Sequence, residues 1–327
     1  MKSIKVKFVG FTDCPLEPAA FYNILNEEYD LVETEEPDYI FCSIFGKMYE
    51  YLNYPQVRIM YIGENFIPDF NFIDYALLPY DLKLYDRCFY YPSFSNNYKY
   101  TLEMEKNKRD YNYDFLKEKQ YFANFITSHE SEYNIRGDFF KELSKYKRVE
   151  SPGTYLNNMP NGETVKFNTD SKKQFQRKSK FSLCFESTKH NGFVTEKIMD
   201  AFIAGSIPVY YGSETVTEIF NPKAFINCND FNSFDDVIKR IVELDNNDDM
   251  YLEMLSQPIL VNPNFSTELY SNLKQFFTNI FEQPLEQCYR RSRVYSPYVY
   301  EKRISKYAQK YYEPKSKLRK FIGRIVK

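Results

Sequence analysis

The sequence predicts an α/β protein with two domains in series and a basic C-terminal tail. Short strand-like runs rich in aliphatic and aromatic residues alternate with helix-like runs, and this alternation occurs twice. A charged stretch with a poor apolar period separates the two sets. A length of 327 residues suits two hydrophobic cores, and 43% hydrophobic with 27% charged residues is ordinary for a globular protein.

The first predicted domain covers residues 1–104. Its helix-like run "PAAFYNILNEEY" lies between strand-like runs, and strands joined by helical crossovers imply a mainly parallel sheet that is buried on both faces. The predicted strands lie at 4–11, 29–34, 37–46, 55–65, 71–80 and 86–94.

The second predicted domain covers residues 119–290 and follows a charged linker at 105–118. Two α/β domains in series predict a ligand-binding cleft between them. Strands are predicted at 120–128, 147–151, 180–187 and 207–211, with helices at 136–146, from 196 to 204 and at 233–244; the run "AFINCNDF" precedes the last helix.

The stretch "FESTKHNGFVTEKIMDAFIAGSIPVYYG" carries the strongest local signal. Thr195 is a plausible N-cap, apolar residues then recur with helical spacing, and Gly205 predicts the helix end. A loop that feeds a helix N-terminus beside a strand suits anion binding. Glu196 and Lys197 stand at the head of this helix; the alternative is a solvated first turn in which Glu196 complements the helix dipole.

Two cations and two carboxylates are candidates for chemistry. Lys197 and Arg136, each following a strand of the second domain, could together neutralise a diphosphate. Glu64 and Glu186 follow strands in the first and second domains, where a general base could stand. Taken alone, Arg136 is better explained as a surface arginine and each glutamate as a loop carboxylate; their positions after strands that face the cleft favour a functional role.

Several other site classes are excluded by missing motifs. His129 and His190 are the only histidines, and there is no G-x-G-x-x-G, P-loop, C-x-x-C or D-x-D sequence. We therefore expect no metal site and no required cofactor, with metal stimulation of product release left open. The six dispersed cysteines and the absence of a signal-peptide pattern predict a cytoplasmic protein.

The tail, residues 291–327, differs from the body. Residues 289–327 carry 13 Lys/Arg and two acids, or +11, which leaves −13 on the rest. Within 315–327, apolar residues recur at i, i+3, i+4, i+7 and i+8 and would form one face of a helix, while basic residues cover most of the other face. This pattern is typical of a helix in peripheral contact with an anionic membrane. A disordered tail or a helix docked on protein are the alternatives. The acidic body argues against nucleic-acid binding.

The segment 180–213, "KFSLCFESTKHNGFVTEKIMDAFIAGSIPVYYGS", resembles the donor-site signature of glycosyltransferase family 10, the α-1,3/4-fucosyltransferases, especially the bacterial members. "RIMYIGENFIPDFNFIDYALLPYDL" is similar to the family's acceptor-domain segment. "YFANFITSHESEYNIRGDFFKEL" and "FNPKAFINCNDFNSFDDVI" look like flanking parts of its donor domain. The resemblance covers most of residues 4–285.

The resemblance implies a GT-B fold with two facing Rossmann-like domains, GDP-fucose as the donor, a glycan acceptor and inversion at the anomeric carbon. Glu64 corresponds to the proposed general base, Arg136 and Lys197 to the diphosphate-binding cations, and Glu196 to a carboxylate that contacts fucose or ribose hydroxyls. The donor-binding set implied by the resemblance is Ser128, Arg136, Glu186, Asn191, Phe193, Glu196 and Lys197.

Three departures leave the exact substrate open. Phe193 replaces a common Tyr, Ser187 a common Asn and Tyr211 a frequent Trp. The predicted activity is α-1,3-fucosyl transfer to an N-acetyllactosamine-like end of a bacterial surface glycan. The alternatives are an α-1,4 linkage, another nucleotide sugar, or a nucleotide-sugar or glycan-binding protein without turnover.

Overall fold

The computed structural model describes residues 1–12, 16, 19–47, 49–97, 101–102, 104, 110–165 and 170–325, with the backbone alone at 132 and 311–325. The chain divides into two compact units. Unit 1 contains residues 1–91 and 269–327, and unit 2 contains residues 92–268.

Unit 1 is built on a six-stranded parallel sheet with the strand order β2-β1-β3-β4-β5-β6. Strands β4 and β5 are completely buried, as expected for a parallel sheet that is covered on both faces. The predicted strands and the first helix are confirmed. The elements are β1 (Lys2–Phe11), α1 (Ala20–Glu28), β2 (Tyr29–Glu33), β3 (Tyr39–Phe45), β4 (Val57–Tyr61), β5 (Tyr75–Leu78) and β6 (Cys88–Tyr90).

Unit 2 is built on a five-stranded parallel sheet with the strand order β11-β10-β9-β7-β8. Every strand predicted for this sheet is present. The elements are α2 (Tyr113–Lys117), β7 (Tyr121–Asn124), α3 (Ile135–Ser144), β8 (Val149–Glu150), α4 (Asp170–Arg177), β9 (Ser179–Phe185), α5 (Glu196–Ile203), β10 (Ile207–Tyr211), β11 (Ile226–Asn227), α6 (Phe234–Asp245) and α7 (Asp248–Leu255).

The strand order reverses in the middle of the unit 2 sheet. The chain runs outward from β7 to β8 and then returns to place β9 on the other side of β7. In doubly wound sheets, ligands bind beyond the carboxyl ends of the strands at such a reversal. The loops after β7 and β9 are therefore the place in unit 2 where a site is expected.

Helix α5 confirms the local prediction for its two ends. Thr195 occupies the N-cap position with extended backbone angles, although its side chain makes no capping hydrogen bond. Gly205 follows the helix with φ of +67°, and a Cβ there would lie 2.7 Å from the Phe115 ring. Only glycine tolerates both conditions, so the helix ends where the sequence predicts.

Two further helices follow the predicted second sheet. They are α8 (Phe265–Phe281) and α9 (Tyr295–Ile325). The boundary between the units falls inside α8, so residues 269–290, which the sequence assigns to the second domain, belong to unit 1, and residues 92–104 belong to unit 2. The physical reason is aromatic packing: the Phe281 ring centroid lies 4.8 Å from that of Tyr39.

The predicted linker and tail are covered in part. Residues 105–109 of the linker lie outside the described residues, and α2 occupies part of the remainder. Helix α9 begins twenty residues before the predicted amphipathic segment and is helical to Ile325, while residues 326–327 lie outside the described residues. In the described part of the chain, no helix combines the length and apolar character needed to span a membrane.

Candidate active site

The loops after β7 and β9 bring together most of the predicted site residues of unit 2. Thr127 and Ser128 follow β7, and Glu186 follows β9 directly. Helices α3 and α5, which carry the two predicted cations, begin after the same two strands. The sequence prediction that these residues share one sheet edge is therefore consistent with the topology.

Arg136 lies in the first turn of α3 and is 4% exposed. Its Nε donates to the Glu186 backbone oxygen at 3.3 Å, and its Nη1 donates to Thr127 Oγ1 and the His129 carbonyl oxygen, both at 3.1 Å. Burial lowers the pKa of the guanidinium, although nearby carboxylates oppose this effect. The alternative reading of Arg136 as a surface arginine is wrong.

The turn that leads into α3 is conformationally strained. Tyr133 and Asn134 have φ of 61° and 57°, in the left-handed region that non-glycine residues seldom adopt. Such conformations cost on the order of 1 kcal/mol each and cluster at binding sites. The strained turn ends at Asn134, directly before α3, so it sets the start of the helix whose second residue is Arg136.

Glu186 is the centre of a buried hydrogen-bond cluster. Its Oε1 accepts the Thr195 backbone N–H at 2.8 Å, and the Thr195 hydroxyl lies 2.9 and 2.8 Å from the two carboxylate oxygens. Lys197 Nζ donates to Glu186 Oε2 at 3.0 Å and to Thr195 Oγ1 at 2.9 Å. The carboxylate therefore accepts the backbone N–H of the N-cap residue and lies at the positive end of α5.

Glu186 also connects the two predicted cations. Its side chain holds Lys197, and its backbone carbonyl oxygen accepts from Arg136. The Glu186 side chain is completely buried, whereas that of Lys197 is 17% exposed. Lys197 is thus paired within unit 2, which the sequence did not predict, and it keeps a solvent-facing part that a ligand can reach.

The charges at the head of α5 support one another. For Lys197, burial opposes the charged form, but the charges of Glu186 and Glu196 outweigh it and raise the pKa. For Glu196, burial alone would raise the pKa, but the charges of Lys197 and Lys172 and local hydrogen bonds lower it. Both groups are therefore held in their charged forms.

The other predicted donor-site residues differ in exposure. Asn191 is exposed, Ser128 is half-buried and Phe193 is 1% exposed. The backbone N–H of Gly192, between Asn191 and Phe193, donates to Ser213 Oγ at 2.9 Å. The loop that carries these residues is thus tied to the end of β10.

A small cavity of about 190 Å³ opens beside the Glu186 cluster. It is smaller than the roughly 300–1,000 Å³ of pockets that enclose a drug-sized ligand, so in unit 2 alone it can hold one part of a nucleotide sugar. Its lining includes Ser131, Tyr133, Ser187, Lys189 and Tyr211.

A second buried ion pair joins α5 to α4. Lys172 in α4 donates to Asp200 Oδ2 at 2.7 Å, and the side chains are 2% and 7% exposed. Burial raises the pKa of Asp200, and the charge of Lys172 opposes this. The sequence did not reveal this pair; the only signal was an aspartate placed among apolar positions of α5.

Glu64 lies in unit 1, in the exposed loop that follows β4. The Tyr80 hydroxyl donates to Asn65 Oδ1 beside it. Burial, with the charge of Glu64, raises the pKa of Tyr80 to about 12. Tyr80 therefore stays a neutral donor that steadies this loop, and Glu64 is accessible to a substrate.

No cluster of three or more His, Cys, Asp or Glu side chains suited to a metal ion occurs among the described residues. The unit 2 sheet edge gathers the cations Arg136 and Lys197 together with the carboxylates Glu186 and Glu196, and the N–H groups of the two cations are hydrogen-bond donors. An anion with several oxygens, such as a diphosphate, is the ligand that this donor set can bind chemically.

Two family models match the chain. "Alpha-(1,3)-fucosyltransferase FucT N-terminal domain" matches residues 6–98, and "Glycosyltransferase family 10 (fucosyltransferase) C-term" matches residues 116–257. The alpha-(1,3)-fucosyltransferase FucT of Helicobacter pylori is 30% identical over 303 residues. That match covers 81% of this chain, which spans 62% of the relative's length.

Solved structures of α-1,3-fucosyltransferases are similar over most of the chain. One with GDP has a TM-score of 0.71 at 27% identity and covers 86% of this chain and 91% of that one. Another, with GDP-fucose, has a TM-score of 0.66 at 26% identity and covers 84% and 91%. These similarities confirm the predicted GT-B fold class.

Proposed function

Because the chain belongs to glycosyltransferase family 10, we propose that it transfers L-fucose from GDP-β-L-fucose to a glycan hydroxyl. The acceptor is a GlcNAc or Glc hydroxyl of an N-acetyllactosamine-like glycan, and the new linkage is α-1,3. The observation that carries the proposal is the buried cluster in which Glu186 joins Arg136 and Lys197 at the order reversal of the unit 2 sheet.

The proposed reaction is a single displacement. The acceptor oxygen forms a bond to the anomeric carbon of fucose while the bond to the β-phosphate oxygen breaks, so GDP leaves with the electron pair and the configuration inverts. Glu64 takes the proton from the acceptor hydroxyl. Arg136 and Lys197 stabilise the charge that develops on the leaving diphosphate, and no metal cofactor is required.

The remaining donor contacts follow from the placement of the side chains. Glu196, partly exposed at the head of α5, accepts hydrogen bonds from fucose or ribose hydroxyls. Ser128 and the exposed Asn191 lie on the loops that border the cluster, so they are assigned to the donor as well. Phe193 is buried and supports the site by packing, and Glu186 supports it by holding the cations.

We also propose where the reaction takes place. The acceptor belongs to a bacterial surface glycan such as lipopolysaccharide, assembled at the inner face of the cytoplasmic membrane by a cytoplasmic enzyme. The basic amphipathic pattern at 315–327, on the helical backbone of α9, supports peripheral contact with that membrane.

The test of donor and acceptor is GDP release from the purified chain supplied with GDP-fucose and EDTA. Release that depends on N-acetyllactosamine or lactose is expected, because both offer a 3-hydroxyl next to a galactosylated position. Binding of GDP-fucose without turnover on either sugar would contradict the proposed acceptor. Failure to bind GDP-fucose would contradict the donor.

The test of the base is Glu64→Gln, matched with Glu36→Gln, a second exposed glutamate of unit 1. Loss of a general base predicts a kcat lower by about 10²–10⁴-fold for Glu64→Gln, with GDP binding nearly unchanged. The Glu36→Gln control should keep full activity. Substantial transfer by Glu64→Gln would remove Glu64 from the mechanism.

A further inference from the structure

A groove of about 670 Å³ lies in unit 1 where the chain enters α9. Its walls come from the segment that precedes β4, from residues 289–294 and from the first turns of α9. The lining includes Leu52, Asn53, Pro55, Tyr289, Arg293 and Lys302. It is formed entirely within unit 1 and is remote in sequence from every residue assigned to donor binding.

Two cations on the groove are held by aromatic rings. The Arg293 guanidinium lies 3.5 Å from the centre of the Tyr289 ring, and Lys302 Nζ lies 5.4 Å from that of Tyr298. Both are exposed, and among the described side chains no carboxylate pairs with either one. Their positive charge is therefore available to an anion.

The neighbouring cations behave differently. Arg290 pairs with Asp86 at 2.6 Å, and the buried Arg291 pairs with Asp74. Arg291 Nε also lines up 4.0 Å from Glu301 Oε2 and has no hydrogen-bond partner of its own. Arg291 and Glu301 also line the groove, but their charges are balanced by Asp74 and Arg58, so the unpaired positive charge of the groove comes from Arg293 and Lys302.

The outward face of α9 beside the groove is apolar and aromatic. Tyr295, Tyr298 and Val299 are 88%, 51% and 46% exposed, and Lys302 follows them at the spacing of one helix face. Tyrosines next to Lys and Arg are the side chains enriched where proteins meet the headgroup level of a membrane.

The inward face of α9 fixes the orientation of this surface. The Glu301 carboxylate accepts hydrogen bonds from the fully buried Arg58 guanidinium, whose Nη2 lies 2.8 Å from Glu301 Oε1. Ile304 packs against the core cluster of unit 1, and Ala308 is 7% exposed. Lys302 is consequently presented by a docked part of the helix, and Arg293 lies two residues before the helix begins.

We propose that this groove binds the phosphate of an anionic phospholipid headgroup. Arg293 and Lys302 contact the phosphate, and the exposed tyrosines lie among the headgroups. Charge complementarity and the continuation of α9 into the basic segment 315–325 favour a lipid over a soluble anion. This site is separate from fucosyl transfer and from the tail contact proposed above.

The test measures binding of the full chain to vesicles of phosphatidylcholine alone or with phosphatidylglycerol, at constant ionic strength. The groove variant is Arg293→Gln with Lys302→Gln. The matched control is Lys5→Gln with Lys47→Gln, two exposed cations of unit 1 outside the groove. A third variant replaces the cations at 315, 317, 319 and 320 by glutamine.

A Lys or Arg near an anionic leaflet contributes about fivefold to partitioning, so the groove variant should bind phosphatidylglycerol vesicles about 25-fold more weakly. The control should change by less than about threefold. All variants should keep the wild-type Tm and transfer to a soluble acceptor. The variant at 315–320 reports on the tail separately from the groove.

Three results would overturn the proposal. One is an equal loss in the control, which would show attraction by net charge alone. The second is equal binding to both vesicle types. The third is release by 10 mM inorganic phosphate exchanged for chloride at fixed ionic strength, which would assign the groove to a soluble phosphate.

Discussion

The substitution Glu186→Gln separates two roles for this residue. As a donor contact, which the sequence predicts, Glu186 would lose ligand affinity on substitution. As the group that positions the cations, which the contacts indicate, it would lose stability and retain affinity. Glutamine preserves the size of the side chain and removes the charge that faces Lys197 Nζ at 3.0 Å.

The expected loss of stability follows from burial. The Glu186 side chain is fully buried and that of Lys197 is 17% exposed. Removing one partner of a buried ion pair costs about 3–5 kcal/mol. The glutamine oxygen can still accept the Thr195 N–H, which retains about 1 kcal/mol. The free energy of unfolding should therefore fall by about 2–4 kcal/mol.

GDP should reverse part of this loss. In the proposed site, the diphosphate supplies the negative charge that the glutamine lacks, and it no longer competes with Glu186 for Lys197. Urea unfolding with and without saturating GDP, together with calorimetric GDP binding, measures both effects. We expect GDP to stabilise Glu186→Gln more than the wild type, with a correspondingly lower Kd.

Glu214→Gln is the matched control. Its ion pair with Lys189 is exposed, with side chains 62% and 41% accessible, and such pairs contribute little. A control that loses as much stability as Glu186→Gln would refute the argument from burial. GDP binding weakened more than tenfold in Glu186→Gln would refute the positioning role and assign Glu186 to the donor.

Three further predictions concern buried or perturbed charges. Lys172→Met should lower the free energy of unfolding in urea by about 3–5 kcal/mol, and adding Asp200→Leu should restore most of it; additive losses would contradict this. The pKa of Glu196 is lowered from 4.5, so the stability that its charge contributes is present above pH 4.5 and is lost as the pH falls through the folded-state pKa. In Glu196→Gln the free energy of unfolding should therefore fall less steeply with decreasing pH in this range. Parallel pH dependences for the wild type and the variant would contradict this prediction. Glu301→Gln leaves Arg58 without its carboxylate and should lower the Tm of unit 1 by roughly 6–12 °C in calorimetry, and an unchanged Tm would show that the pair contributes nothing.

The sequence predicted the strands well because their apolar runs record burial directly. Helix α4 was missed for the same reason: "DSKKQFQR" has almost no apolar period. The burial of Lys172 depends on Asp200, which lies 28 positions away. Local periodicity cannot report such a pairing, since the two charges neutralise each other only after the helices pack.

The candidate site was predicted in its composition and only partly in its arrangement. The sequence was sufficient to select Arg136, Glu196 and Lys197, because the ends of strands and the start of a helix can be predicted from local patterns. The pairing of Lys197 with Glu186 could not be predicted from the sequence, because it depends on how the end of β9 is placed next to the start of α5. The sequence assigned residues 269–290 to the second domain, whereas they belong to unit 1, for a similar reason. The apolar residues of α8 predict a buried helix face, but their pattern does not show which hydrophobic core that face packs against.

The charge balance of the cluster indicates how it would recognise a nucleotide. Arg136 and Lys197 are offset by Glu186 and Glu196, so the four side chains carry no net charge. Affinity for a diphosphate must then come from the direction of fixed N–H donors, which Glu186 and the strained turn before α3 hold in place before a ligand arrives. The same arrangement favours release in the proposed reaction, because Glu186 remains beside Lys197 and offers it a buried partner as soon as GDP departs.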